Sequence, residues 1–548
     1  MSDMATTGLL LVSNPTKLGW LLHIIKNQVR KSLYIQLFPG WNLTDTCSSN
    51  ETITDSKYIA QLGHLVTGIY TQATALCHHL DVRVLLSQSK NHCTSLPMLD
   101  AKHQVDIIFY DQAVSKPDVH KYAATFLNGE KSSNCNLIAL DPKEGDTTVS
   151  DIGKTLMQKV SDCQPKSTDC QYNHVVLGGT FDRLHNGHKE LLSQAIIRCK
   201  SKLTVGVTDG NMIKSKVLHE LIEPCDIRIE KVAKFLHDVD STLEYNVVPI
   251  SDPFGPTKDD PTMDMILVSA ETLRGGNKVN ELRASKGIGQ LQLHCIELVE
   301  DHLPKHLRDI EGEDWKISSS SARIRLLGTK LKDVQSAPNL PPKPYVIGLT
   351  GGIASGKSAI GDRLERLGAG VINCDLLGHE VYLPGTKGHD LIVKEFGEQI
   401  LSPDGFVDRK ALGKIVFANK ARLEQLNSLL WPLMMEMVEE RLAAMRDAGV
   451  AVAVVEAAVL TMAGWDKRCH EVWAVIIPPN EAIRRLQERN GLSEEESKNR
   501  LASQPSNENH VAKAHVVFSP YWSPNHTQQQ VQRAWQQLQA RLPSAAHL

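Results

Sequence analysis

The sequence predicts an α/β protein in which two doubly wound parallel-sheet domains follow an N-terminal block that is itself α/β. Three observations carry that expectation. Short apolar runs at 174–177, 203–207, 265–269, 346–349 and 450–455 alternate with helix-length amphipathic segments, the rhythm of strands buried on both faces and joined by helical crossovers. Two of these runs open into glycine turns, at Gly178-Gly179 and Gly351-Gly352. Loop-like stretches at 161–173 and 333–344 divide the chain, the second with four prolines between Ala337 and Pro344.

At 548 residues the chain exceeds what one hydrophobic core can organise. The divisions predict an N-terminal domain over 1–170, a second over 171–335, a proline-rich linker at 336–342 and a third domain over 343–548. Lys and Arg number 60 against 63 Asp and Glu, a net charge of −3, so nothing provides the basic footprint that polynucleotide binding requires. Nucleotides are the better ligands. The eleven cysteines are scattered and form no CxxC pair, which fits a reducing compartment. No stretch approaches the roughly 20 apolar residues that a spanning helix needs.

The first block has strand-like runs at 8–12, 82–86 and 105–110 but no recognisable chemistry, and protein partners are one use for it. Its segment 18–38 mixes apolar residues with Lys26, Arg30 and Lys31. That segment reads as an amphipathic helix following a strand. The other reading is a mitochondrial targeting signal, or peripheral attachment to a mitochondrial membrane. The expected location is the cytoplasm, with the mitochondrion as the alternative.

In the second block, His174-Val-Val-Leu-Gly178-Gly179-Thr180-Phe181-Asp-Arg-Leu-His185-Asn-Gly187-His188 reads as a buried strand, a glycine turn and a helix entry. The glycines admit a ligand close to the backbone, and the new helix offers it free N–H groups and a positive dipole end. His185 and His188 are delivered to the same spot, where imidazoles can stabilise charge growing on an attacked phosphate. Some 130 residues on, Lys316-Ile-Ser318-Ser319-Ser320-Ser321-Ala-Arg323 places a serine cluster at another helix start, with Arg323 expected on its first turn.

The third block opens with Gly351-Gly352-Ile353-Ala354-Ser355-Gly356-Lys357-Ser358 between a strand and a helix. This is the phosphate-cradling G-x-x-x-x-G-K-S loop: Lys357 reaches the outer phosphates and the Ser358 hydroxyl joins a Mg²⁺ shell. A second strand is expected to end at Asp375, where an acceptor hydroxyl needs a base or a positioning group. The run at 450–455 ends at Glu456, a partner for hydrated Mg²⁺ or for substrate. Arg484, Arg485, Arg489, Arg500 and Gln504 suit a lid that closes over ATP and excludes water.

The first pair of motifs resembles the H-x-G-H and I-S-S-T-x-x-R elements of the nucleotidylyltransferase superfamily, with Ser320 where threonine is usual. Within it the block is most similar to phosphopantetheine adenylyltransferase of the eukaryotic type. That resemblance implies ATP bound by Gly178, Gly179, Thr180, Phe181, Ser318, Ser319, Ser320, Arg323, Glu271 and Thr272. It also implies phosphopantetheine held by Lys214 or Lys216, with Arg228 and Arg274, and His188 and His185 as the catalytic pair. The third block resembles dephospho-CoA kinase, which implies Mg-ATP on residues 351–358 with Arg485 and Arg489, metal contacts from Ser358 and Glu456, and catalysis by Lys357 and Asp375. Asn373, Trp431, Glu456 and His515 depart from that family's usual residues. Fusion in this order resembles the bifunctional CoA synthases of animals, which implies ATP, phosphopantetheine and dephospho-CoA as substrates. A class I aminoacyl-tRNA synthetase would want a tRNA-binding surface that this slightly acidic chain lacks. A regulatory nucleotide-binding scaffold would not need Lys357, Asp375 and His188.

Overall fold

The computed structural model describes residues 4–37, 55–91, 105–111, 114–127, 135–140, 150–296, 312–313, 317–335, 337–417 and 419–542. Lys316 of the serine motif lies outside them. By contacts the chain forms two units, Met1–Asp309 with Glu313–Ala322, and Ile310–Gly312 with Arg323–Leu548.

The first unit holds two parallel sheets. One comprises β1 (Ala5–Val12), β2 (Val29–Leu37), β3 (Asp81–Leu85), β4 (Ile107–Asp111) and β5 (Asn136–Leu140), in the order β3-β2-β1-β4-β5. The other comprises β6 (Tyr172–Gly179), β7 (Cys199–Thr208), β8 (Glu244–Ile250), β9 (Met265–Ser269) and β10 (Gln292–Ile296), in the order β10-β9-β6-β7-β8. In both, the first strand is central, its next two strands lie to one side and the last two to the other. The same topology therefore occurs twice, although the sequence shows no repeat at a fixed period.

Apolar runs explain the strands. Leu9, Leu10, Leu11 and Val12 are all buried, as are Val175, Val176 and Leu177, because helices cover both faces of a parallel sheet. Residues 18–37 become helix α1 (Leu18–Ile25) and strand β2, and Leu18, Leu21, Leu22, Ile25, Leu33 and Ile35 are buried in the core. That core continues into the second sheet: Leu62, Leu65 and Ile69 of α2 (Asp55–Leu76) share one apolar cluster with Leu192, Ala195 and Ile196 of α3 (Asn186–Arg198).

The second unit carries β11 (Tyr345–Gly351), β12 (Gly370–Asn373), β13 (Val452–Glu456), β14 (Glu471–Val475) and β15 (Val516–Phe518), all parallel, in the order β12-β13-β11-β14-β15. Two local expectations are corrected. The strand expected to reach Asp375 stops at Asn373, because the Asn373 side chain accepts from the N–H of Asp375 at 3.0 Å and of Leu376 at 3.2 Å and starts a helix there. Arg323 lies on the second turn of α4 (Ser319–Leu326), not the first, since Ser318 is the capping residue: its Oγ accepts from the Ser321 N–H at 3.1 Å.

Candidate active sites

In open parallel sheets ligands bind beyond the carboxyl ends of the strands, where the strand order reverses. In the second sheet that point lies between β6 and β9, which pair with Leu177 opposite Leu267. Strand β6 ends at Gly179, and the turn that follows is held in unusual backbone conformations, Phe181 at φ +50° and Arg183 at φ +49°, the kind of stored strain that concentrates at functional sites. A Cβ on Gly179 would meet the Phe181 ring at 3.0 Å, whereas one on Gly178 would find nothing nearer than 3.7 Å. Phe181 is fully buried, with its ring 5.3 Å from that of His188.

His185 caps α3. Its Nδ1 accepts from the His188 N–H at 3.4 Å, which requires a neutral ring with its proton on Nε2. That Nε2 lies 3.5 Å from the Ser319 hydroxyl, which itself donates to the Asp182 carbonyl at 3.0 Å. The two imidazoles stack at 3.8 Å. Burial pushes the proton affinity of His185 well down, and the neighbouring His188 and Lys189 push it further. Burial likewise takes His188 to about 4, with Asp182 opposing and Lys216 assisting. The His188 Nδ1 is enclosed with no hydrogen-bond partner among the described residues. The arrangement is two neutral imidazoles beside the free N–H groups of a helix start, which suits an arriving polyphosphate.

Around this pair the other expected residues separate. Ser318, Ser319 and Ser320 open α4 beside His185. Thr180 follows Gly179 and accepts from the Thr208 hydroxyl at 3.1 Å. Lys214 and Lys216 are exposed on turns after β7, and Glu271, Thr272 and Arg274 are exposed where β9 passes into the helix Leu273–Ser285. Arg228 is placed differently from the expectation of a substrate contact. It is fully buried, and its guanidinium donates to the carbonyls of Thr180 at 2.7 Å, Thr208 at 2.8 Å and Glu223 at 2.8 Å. It clamps the two loops that frame the cleft. Arg323 is also buried.

In the third sheet the phosphate loop follows β11. Gly351 has φ +150°, Ala354 +58° and Gly356 +90°, and a Cβ on Gly351 would lie 2.2 Å from the Val475 carbonyl oxygen, so only glycine fits there. Helix α5 (Lys357–Arg366) starts from this loop. The Lys357 ammonium donates to the carbonyls of Gly351 at 3.0 Å and Gly352 at 3.2 Å. Its burial lowers its proton affinity, Asp375 and Glu456 oppose that, and Arg489 adds to it. Those acids and Arg489 therefore lie within electrostatic reach of the lysine.

Glu456 ends β13 in register with Leu349 on one side and Asn373 on the other. It accepts from the Ser358 hydroxyl at 2.7 Å and from the Asn373 amide at 3.3 Å. Burial raises its carboxyl above the usual range, opposed by Ser358 and Lys357 and reinforced by Asp375. From the segment expected to form a lid, Gln504 accepts from the Ile353 N–H at 2.7 Å. Arg485 donates to the Pro520 carbonyl at 2.7 Å and the Ala354 carbonyl at 3.4 Å. His515, one of the departures from family pattern, accepts from the Val472 N–H at 3.0 Å and so serves the sheet. Sequence reasoning missed His510, a buried imidazole with neither nitrogen partnered among the described residues and within reach of the Lys357 charge. A single histidine in a polar helix carries no signal that would single it out.

A nucleotidyl-transfer cleft and a phosphate-loop cleft on one chain define a two-site, nucleotide-dependent transferase. Residues 345–521 match the family model for dephospho-CoA kinase, residues 176–325 that described as cytidylyltransferase-like, and residues 6–112 that described as COASY N-terminal domain. A dephospho-CoA kinase of Geobacter sulfurreducens is 45% identical over 190 residues, 35% of this chain and 96% of that protein. One of Geobacter metallireducens is 40% identical over 192 residues, covering 35% and 96%. A solved dephospho-CoA kinase from Campylobacter jejuni aligns with 35% of this chain and 96% of its own, at 25% identity and a TM-score of 0.29. The chain belongs to the dephospho-CoA kinase family, and its three matches in order are those of a bifunctional CoA synthase, the enzyme of the last two steps of CoA synthesis.

Proposed function

We propose that the His185–His188 cleft joins ATP to phosphopantetheine and that the Lys357 cleft phosphorylates the product. In the first step a phosphate oxygen of phosphopantetheine attacks the α-phosphorus of ATP, the bond from that phosphorus to the bridging oxygen breaks, and pyrophosphate leaves. No covalent enzyme intermediate is needed, so rate comes from positioning and charge stabilisation. His188 and His185 contact the α-phosphate, the serines of α4 hold the outer phosphates, and Lys214 or Lys216 holds the acceptor. The carrying observation is the stacked pair of neutral imidazoles at the start of α3.

In the second step the ribose 3′-hydroxyl of dephospho-CoA attacks the γ-phosphorus, its proton passes to Asp375, and ADP leaves. Lys357 must exchange its loop carbonyls for phosphate oxygens, and Arg489 sits where a closing lid would deliver charge. The Ser358 hydroxyl and Glu456 carboxylate, 2.7 Å apart, are hard oxygen donors of the kind Mg²⁺ accepts, directly or through water. Among the described residues no group of three or more His, Cys, Asp or Glu could hold a metal alone, and Mg²⁺ bound with nucleotide commonly takes few protein ligands. When bound, the ion would neutralise charge on the phosphates. We place the activity in the cytoplasm.

The test is a coupled assay with Mg-ATP and phosphopantetheine, following pyrophosphate, dephospho-CoA and CoA. Lys357→Ala should accumulate dephospho-CoA, and His188→Ala should make CoA only when supplied with dephospho-CoA. Wild-type protein that consumes no phosphopantetheine would overturn the first assignment.

A further inference from the structure

The first turn of a helix is poorly anchored by its own backbone, since its leading N–H groups have no intrahelical partners. In α3 those groups are also the ones that the proposed reaction would present to a phosphate. The exact placement of His185 and His188 must therefore come from side chains that hold the turn from behind. Two do so, and both reach into the N-terminal sheet layer. Asn186, between the histidines, donates its amide to the Thr74 hydroxyl of α2 at 3.0 Å, while that hydroxyl donates to the Tyr70 carbonyl at 2.7 Å. Lys189, directly after His188, donates to the Asp81 carboxylate at 2.6 Å and the Val82 carbonyl at 3.0 Å, both on β3, and to the Asn186 side chain at 3.4 Å.

These contacts are built. Thr74 and Lys189 are buried. Burial alone would raise the Asp81 carboxyl, yet Lys189 and Arg83 hold it down at about 2. Apolar packing of α2 on α3 runs behind the polar contacts.

We propose that the N-terminal layer is a positioning module for nucleotidyl transfer: Thr74 and Asp81, through Asn186 and Lys189, fix the turn that aims the two histidines. The layer carries no catalytic residue of its own. It makes the first site dependent on a domain in which the sequence shows no chemistry, and predicts that damage to it silences the first reaction selectively. This rests on reading the His185–His188 cleft as the adenylyl-transfer site.

The experiment uses the full-length chain with Thr74→Val, which keeps shape and removes the hydroxyl, Thr74→Ser, and Asp81→Asn. Hydrogen exchange at the amides of residues 186–190 and kinetics of both reactions are measured. In Thr74→Val, exchange there should rise roughly tenfold relative to the rest of the first unit. The kcat for pyrophosphate release should fall about tenfold or more with KM for ATP within about twofold, since misaligned groups lose rate before they lose binding. Phosphorylation of supplied dephospho-CoA should be unchanged, and Thr74→Ser should restore the first reaction. Asp81→Asn should show the larger effect, with Thr74→Val deciding the case if that variant folds poorly. Unchanged exchange at 186–190, or unchanged kcat in folded Thr74→Val and Asp81→Asn, overturns the proposal. If exchange rises while wild-type protein releases no pyrophosphate from ATP and phosphopantetheine, the brace stands and the substrate reading is what fails.

Discussion

Ser358 donates its hydroxyl to Glu456 across 2.7 Å, joining the first turn after the phosphate loop to the end of the neighbouring strand. Glu456 is nearly inaccessible, 2% exposed, and its carboxylate feels the charge of Asp375. It is therefore stabilised least when no cation is present, which is how a site kept for a cation behaves.

Glu456→Gln should separate stability from activity. A carboxyl whose proton affinity is raised in the folded state makes the fold more stable as pH falls through its titration and less stable as pH rises above it. The neutral amide removes that cost, so the second unit should gain on the order of 1 kcal/mol at pH 7.5. Turnover of dephospho-CoA should drop roughly a hundredfold or more. Calorimetry and steady-state kinetics on one preparation check both.

The His188 shift makes an acid prediction with a definite sign. Its folded proton affinity lies at about 4, below the ordinary imidazole value of 6.5, so the unfolded chain takes up the proton first as pH falls. Stability should therefore drop between about pH 6.5 and 4, with the full loss present below 4. His188→Gln, which cannot titrate, should flatten the fall in melting temperature of the first unit across that window. An unchanged slope would mean that folding does not depress the proton affinity of this ring.

How much of this could be read from residues alone divides along physical lines. Phosphate chemistry demands glycines, a helix start and specific polar groups within a few residues, so Gly178 to His188 and Gly351 to Ser358 announce themselves. Pairings across long separations do not: Lys189 looks like a surface lysine of an amphipathic helix, and its partner Asp81 is 108 residues away. The repeated sheet topology was equally invisible, because what recurs is strand order and not residue identity. Asp375 was displaced from strand to helix by one cap, Asn373, since an Asn side chain that accepts two N–H groups outweighs the propensity of the two residues that follow.

Gly178 and Gly179 should respond differently to the same methyl group. On Gly179 it meets the Phe181 ring at 3.0 Å, and Phe181 packs on His188, so Gly179→Ala should lower kcat for adenylyl transfer about a hundredfold with a modest loss of stability. On Gly178 the nearest protein atom is 3.7 Å away. That methyl makes only ordinary van der Waals contact, with the Gly206 carbonyl oxygen and the Ile250 side chain, so Gly178→Ala should keep its melting temperature while raising KM for ATP. Initial-rate kinetics with thermal melts distinguish the two.

Arg228 decides whether a conspicuous cation near a phosphate site binds substrate or holds the walls. Its guanidinium serves three backbone carbonyls and lies 3.5 Å from the Asp209 carboxylate, with no exposed surface. Replacing it with methionine keeps much of the volume and strands those carbonyls without donors, a loss of about 3–5 kcal/mol. Arg228→Met should therefore unfold the first unit at markedly lower temperature. Below that temperature the remaining folded protein should bind phosphopantetheine with an affinity within about threefold of wild type, since a wall residue contributes no direct contact. Lys216→Ala should do the reverse, because an exposed side chain costs little stability when removed and its charge acts on His188. Titration of phosphopantetheine against both variants at a temperature where each is folded separates the roles: a selective collapse of affinity in Arg228→Met would return the arginine to the substrate.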